Sequence, residues 1–193
     1  MNIILASNSP RRKEILNQLN LNFEVIPSSF EELSLDMEPK TLVEHFAYMK
    51  AKDVYERHTD IRKSDTYILG SDTIVYNGRI MGKPKDDEDA YQMLKELSGR
   101  EHMVISGISI IKAATGQSMT RNEITRVCFR NLSDREIWKY IVSGESKDKA
   151  GSYAIQGIGS LFVKEIKGCY FNVVGLPVQK FNEIMNEFGK LLL

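Results

Sequence analysis

The chain has 193 residues, enough for one large domain or two small ones with a buried core, and 42% of them are hydrophobic against 27% charged. Lysine plus arginine equals aspartate plus glutamate at 26 each, so the formal net charge is +0. That argues against a broad nucleic-acid surface, because such domains are basic overall. No apolar stretch is long enough to span a bilayer, and the first residues read as a core strand rather than a leader, so a soluble, cytoplasmic protein is expected.

Ile3, Ile4, Leu5 and Ala6 read as a buried strand. Ser9 as N-cap, Pro10 at the first helical position and Glu14 in the early turns predict a helix, with Leu16 and Leu19 on one face. Phe23 to Ile26 reads as a short strand, followed by a Ser- and Glu-rich loop that holds Glu31 and Glu32. Thr41 to about Arg57 has helical periodicity, with Leu42, Phe46, Met49 and Val54 facing inward. Tyr67 to Gly70 reads as an apolar strand ending on Ser71 and Asp72. Ile74 to Tyr76 and Arg79 to Met81 then pair around Asn77-Gly78, the strongest short hairpin signal. An acid-started helix from Asp86 to Leu97 closes on Ser98-Gly99.

The second half turns to longer β segments. Met103 to Lys112 and Ser118 to Phe129 read as neighbouring strands turning at Thr115-Gly116, and Ser133 caps a helix reaching about Val142. Gly151 to Gly159 is a glycine-rich loop, Leu161 to Ile166 and Tyr170 to Val174 read as a last strand pair, and Pro177 opens a final helix that ends near Gly189. There is no repeat, low-complexity stretch or linker, so the expectation is a single α/β domain over residues 1–193 with a mixed sheet. Cys128 and Cys169 fall in apolar, strand-like segments and read as buried, reduced thiols. His45 and His58 read as solvated, and His102 as a structural contact.

The chemistry concentrates at strand ends. Residues 7–12, Ser-Asn-Ser-Pro-Arg-Arg, place two guanidinium forks beside a helix N-terminus, whose free N–H groups favour anions. Taken alone, these residues read equally well as a capped helix with two solvated arginines. Asp72-Thr73, Gly82-Lys83-Pro84 and the loop carrying Gln156 each follow a strand, and ligands collect beyond the carboxyl ends of strands in open α/β sheets. A site assembled there sets Arg11, Arg12 and Lys83 opposite Asp72 and Glu31 or Glu32. The cations suit a polyphosphate and the carboxylates suit Mg²⁺ or Mn²⁺. A carboxylate among cations is ionised but weakly basic, and a metal that acidifies water eases that demand. No Walker A spacing and no Ser-His-Asp or Cys-His arrangement is present.

In this order and combination the motifs resemble the Maf-like nucleoside triphosphate pyrophosphatases, the septum formation family. They run from Ala6-Ser7-x-Ser9-Pro10-Arg11-Arg12 through Glu31-Glu32, Ala47-x-x-Lys50-Ala51, Gly70-Ser71-Asp72-Thr73 and Gly82-Lys83-Pro84. Leu97-Ser98-Gly99-Arg100, Asp148-Lys149-Ala150-Gly151, Tyr153, Ile155-Gln156-Gly157, Tyr170-x-Asn172 and Gly175-Leu176-Pro177 complete the set. The resemblance implies an elongated mixed-sheet fold of two lobes with a central cleft, similar to that of the inosine triphosphate pyrophosphatases. It implies metal-dependent hydrolysis of a nucleoside triphosphate to the monophosphate and pyrophosphate. Asp72 then corresponds to the proton acceptor, Ser7, Arg11, Arg12, Lys50 and Lys83 to phosphate or positioning ligands, and Glu32, in preference to Glu31, to the metal partner of Asp72.

Within the family, Arg12, Thr73 and Gln156 resemble the pattern of the subgroup acting on dTTP and UTP. A Gln156 carboxamide matches the O4 and N3–H edge of uracil or thymine, donor to acceptor. Ser106 stands where the family usually has Thr, and the hydroxyl survives. The resemblance is compatible with a homodimer and implies neither a nucleic-acid nor a membrane partner. Two other readings stay open: a pyrophosphatase for another modified nucleotide, and a nucleotide-binding regulator of septum formation that needs no base.

Overall fold

The computed structural model describes residues 1–33, 35–62 and 65–192. Strand β1 (Asn2–Leu5) is followed by helix α1 (Pro10–Gln18), β2 (Phe23–Val25) and the long helix α2 (Pro39–Arg57). Strand β3 (Thr66–Tyr76), β4 (Ile80–Met81) and helix α3 (Asp87–Leu97) follow, then β5 (Glu101–Lys112) and β6 (Ser118–Phe129). Helix α4 (Asp134–Val142), β7 (Val163–Lys167), α5 (Tyr170–Val174) and α6 (Val178–Glu187) complete the order. The strands form a seven-stranded sheet in the order β2-β1-β3-β5-β6-β7, with β4 paired to β3. β1 runs parallel to β2 and β3, whereas β3–β4 and β6–β7 are antiparallel, so the sheet is mixed and the α/β expectation holds. No helix among the described residues is long and apolar enough to cross a membrane.

Local chemistry accounts for most boundaries. Ile3, Ile4 and Leu5 are buried, as a central parallel strand covered on both faces requires. Asp86 caps α3 by accepting from the Asp89 N–H at 2.8 Å, and Ser133 and Glu136 form a reciprocal capping box on α4. Ser9 occupies the N-cap of α1, but its side chain makes no capping bond.

Four expectations need correcting. β3 does not stop at Ser71-Asp72 but continues to Tyr76. The Ser71 hydroxyl reaches the Gly107 and Gly175 carbonyls at 2.9 and 3.3 Å and Asp72 pairs with Lys50, so both polar side chains can stay in a buried strand. Tyr170 to Val174 is helix rather than strand, and residues 158–162 form a 3₁₀ turn before β7. The β-branched and aromatic composition of 170–174 is overridden by Asn172, which is buried and donates to the Val104 carbonyl and the Thr125 hydroxyl at 3.0 Å each. Both cysteines are free thiols and half-buried, and Cys169 lies between β7 and α5 rather than in a strand. His45 and His58 are half-buried rather than solvated: His45 packs against Phe30 and Phe46, and the Nε2 of His58 is buried.

The chain forms two compact units and passes between them along β3, β5 and β6 and after α5. The first comprises Met1–Asp72, Ser106–Glu123 and Gly175–Leu193. Its core includes Ile4, Ala6, Ala51, Val54, Ile68 and Ile111. Here α2 lies unusually close to the sheet. A Cβ on Gly107 would sit 2.1 Å from the Val43 carbonyl oxygen, and one on Gly70 would sit 2.1 Å from that of Ala47. Val43, Ala47 and Ala51 recur every four residues, so one face of α2 meets both glycines. Gly107→Ala should therefore lower stability by about 1–3 kcal/mol, because the clash is with backbone that has no rotamer to yield. Urea unfolding measures this, and an unchanged midpoint would show that α2 can lift without cost.

The second unit comprises Thr73–Ile105 and Ile124–Val174. Its core gathers Met81, Met93, Leu94, Leu97, Phe129, Ile137, Tyr140, Ile141 and Phe162. His102 is buried in this core, edge-on to Phe129 and Tyr153, with Nε2 2.9 Å from the Tyr153 hydroxyl, so it is a structural contact. Burial pulls its pKa from 6.5 to about 4. The unfolded chain therefore binds a proton between these values that the folded chain does not. This contribution to stability is complete above pH 6.5 and is lost as pH falls towards 4, with a ceiling of roughly 3 kcal/mol. Wild type should lose more stability between pH 7 and pH 4.5 than His102→Gln, and parallel losses would refute that account.

Candidate active site

Helix α1 starts at Pro10, so Arg11 and Arg12 occupy its first turn, just beyond the end of β1. Arg12 is held by the protein: its Nε donates to the Gly175 carbonyl at 2.9 Å and its Nη1 to the Ser7 hydroxyl oxygen at 3.0 Å. The same Ser7 oxygen accepts from the Ser9 N–H at 3.2 Å. Ser7 thus joins the arginine fork to the strand–helix turn, where the first turn of the helix still has N–H groups without helical partners. Burial lowers the Arg12 pKa, Asp72 opposes the shift, Arg11 adds to it and Glu32 opposes it. A guanidinium stays charged through such a shift, so Arg12 is a desolvated cation that feels both candidate carboxylates.

Strand alternation brings the next group to the same place. Gly70 faces α2, so Asp72, two residues on, projects to that face as well. There it meets Lys50, whose Nζ lies 2.7 Å from Asp72 Oδ1. The same ammonium lies 2.5 Å from Glu32 Oε1. The Asp72 side chain is 8% exposed and that of Lys50 13%, while Glu32 is 50% exposed. A carboxylate from β3, one from the loop before α2 and an ammonium from α2 thus converge, with the Asp72 end almost dry. Glu31 is exposed on the same loop. That loop is tied down upstream. Asp53 of α2 accepts from the Ser28 hydroxyl and the Ser29 N–H at 2.8 Å each, and Arg57 donates to both its oxygens. The Arg57 bonds, foremost among these contacts, draw the Asp53 carboxyl down to about 2.

The second unit carries the other sequence-selected residues. Thr73 follows Asp72 on β3, and Lys83 is exposed just after β4. The Gly82 carbonyl accepts from the Gly151 N–H at 3.0 Å, which ties the Lys83 turn to the loop leading to Gln156. Gln156 is half-buried in that loop. Gly151 has φ +65°, and a Cβ there would press on the Val75 side chain at 3.0 Å, so glycine is required twice over.

Sequence reasoning did not single out two backbone features. One is the Gly175 carbonyl, the acceptor for both Arg12 and Ser71, at a φ of +125°. The other is the pair of glycines beneath α2. The first had a signal in Gly175-Leu176-Pro177, whereas Gly107 sits in a β-rich run and gave none.

The site lies in a chain whose residues 2–188 match the family of Maf-like proteins. The chain belongs to that family. It is 47% identical over 195 residues to a dTTP/UTP pyrophosphatase of Ruminiclostridium cellulolyticum, covering 100% of this chain and 98% of that one. Against a dTTP/UTP pyrophosphatase of Acetivibrio thermocellus it is 44% identical, covering 99% and 97%. Among solved structures, the nucleoside-triphosphatase (dITP/XTP pyrophosphatase) of Mycobacterium abscessus aligns over 97% of this chain and 94% of its own, at 14% identity and a TM-score of 0.42.

Removing Lys50 should be costly, because it leaves the nearly dry Asp72 carboxylate without its partner. Lys50→Met is expected to destabilise the protein by roughly 3 kcal/mol, and the double variant Lys50→Met/Asp72→Asn should recover part of that loss. Additive losses in the double variant would show that the pair is not coupled.

Proposed function

We propose that this chain hydrolyses nucleoside triphosphates, preferring dTTP and UTP, to the monophosphate and pyrophosphate, acting as one catalytic domain in the cytoplasm. Two dTTP/UTP pyrophosphatases with near-complete coverage support the substrate class. The observation that carries the chemistry is the convergence of Asp72 and Glu32 on one cation beside the anchored Arg12.

In this reading, Asp72 takes the proton from the water that attacks the α-phosphorus. A bond forms between the water oxygen and that phosphorus, the bond to the bridging oxygen of the β-phosphate breaks, and pyrophosphate leaves with the electron pair. Lys50 fixes the Asp72 carboxylate through Oδ1. Arg11 and Arg12 at the start of α1, together with Lys83, bind phosphate oxygens, and Ser7 keeps the Arg12 fork in plane. Gln156 pairs with the pyrimidine edge, and Arg12 and Thr73 complete the selectivity set.

The carboxylates fit a divalent cation. No group of three or more His, Cys, Asp or Glu among the described residues could hold a metal by itself. Glu32 and Asp72 would therefore hold Mg²⁺ or Mn²⁺ with its remaining positions filled by phosphate oxygens and water, as Mg²⁺ commonly is held. Such an ion supplies positive charge against the triphosphate.

Asp72→Asn is close to isosteric and should lower kcat by at least about 10²-fold while nucleotide binding persists. Hydrolysis by wild type in ¹⁸O-labelled water should place the label in the monophosphate and stop on chelation with EDTA. Near wild-type pyrophosphate release by Asp72→Asn would remove it as the base. Label in orthophosphate would indicate an ordinary phosphatase.

A further inference from the structure

The loop that carries Gln156 is held at its far end by a carboxylate and at its near end by a phenol bonded to that carboxylate. Glu145, two residues beyond the C-cap of α4, accepts from the Ile158 N–H through Oε2 at 3.0 Å and from the Gly159 N–H through Oε1 at 2.9 Å. The Tyr140 hydroxyl donates to Glu145 Oε1 at 3.2 Å and accepts from the Ala154 N–H at 3.2 Å. A phenol can fill both roles only while it keeps its proton, and burial raises the Tyr140 pKa well above the ordinary 10.0. Residues 154 and 159 are thus pinned to the same phenol–carboxylate pair, with Gln156 between them.

Two glycines show how tightly the pin is set. Gly157 has φ +83°, and a Cβ there would lie 2.5 Å from Glu145 Oε2. A Cβ on Gly159 would lie 2.5 Å from the Ala154 carbonyl oxygen and 3.0 Å from the Tyr140 hydroxyl, so the two ends of the loop already touch. Upstream, Tyr153 is fixed to His102. What is left to present outward is Gln156, Gly157 and Ile158.

We propose that Glu145, acting through Tyr140 and the 158–159 amides, is a positioning residue for base selection: it fixes where the Gln156 carboxamide sits. A carboxamide that discriminates pyrimidine edges must be held in place, since a mobile one can turn over and offer donor and acceptor in either order. Ion-assisted bonds to backbone N–H groups are suited to that task, being stronger than neutral ones. The proposal rests on Gln156 reading the base, while phosphate binding and the Asp72 step involve other residues.

The test compares Glu145→Gln, Tyr140→Phe and Gln156→Ala with wild type. The readouts are kcat and KM for UTP and CTP, and amide hydrogen exchange across residues 154–159. Glu145→Gln turns an acceptor oxygen into an NH₂ donor facing a backbone N–H, and Tyr140→Phe cuts the link to Ala154 while keeping the ring. Both should quicken exchange across 154–159 and cut the UTP-to-CTP ratio of kcat/KM about 5- to 10-fold. The change should lie mainly in KM, with kcat for UTP within about threefold of wild type. Glu145→Asp should restore part of the ratio. Combining Glu145→Gln with Gln156→Ala should lower the ratio no further than Gln156→Ala alone. If Gln156→Ala lowers the ratio but folded Glu145→Gln and Tyr140→Phe do not, the proposal fails and the base-reading role stands. If Gln156→Ala leaves the ratio unchanged, that role fails and takes the proposal with it.

Discussion

The close approach of α2 to the sheet is the constraint on which the first unit depends. Gly70 and Gly107 leave no room for a Cβ, so the helix backbone lies almost on the strands, and Val43, Ala47 and Ala51 form the matching face. That distance decides whether Lys50 reaches Asp72. An extra methyl group beneath the helix would lift Lys50 by an appreciable fraction of a hydrogen-bond length, and the ion pair at 2.7 Å has little slack. Two glycines therefore set the geometry of the Lys50–Asp72 pair.

The electrostatics follow from that placement. A carboxylate as dry as Asp72 persists only with a partner, and Lys50 supplies it while also holding the half-exposed Glu32. Arg12, desolvated at the start of α1, is offset by the same two carboxylates and pressed by Arg11. The result is a compact alternation of charge. Such an arrangement places cations where anionic oxygens of a ligand could meet them and carboxylates where they could not.

Much of this was legible beforehand. β5, β6, α3 and α4 follow from alternation, acidic first turns and capping residues, all local signals. The two errors of secondary structure share a cause. β3 reads as interrupted because Ser71 and Asp72 look like a strand end, yet partners from β5, α2 and Gly175 satisfy both. Residues 170–174 read as a strand because their composition is β-like, yet the segment is helical, with Asn172 bonded to Val104 and Thr125. In each case a polar side chain found a partner far away in the sequence.

The sequence by itself determined the family, the α/β class and the residue types of the site, because ordered motifs and short-range periodicity are written along the chain. It also set Asp72 with Glu31 or Glu32 among arginines and lysines, and the family resemblance preferred Glu32. Only the tertiary structure decided that Lys50 stands between Asp72 and Glu32, that Arg12 is anchored by Ser7 and Gly175, and that the bonded pair Tyr140 and Glu145 holds the two ends of the Gln156 loop. Those facts rest on distances of about 3 Å between residues many positions apart. No local pattern encodes such distances; the packing of the helices and turns against the sheet sets them.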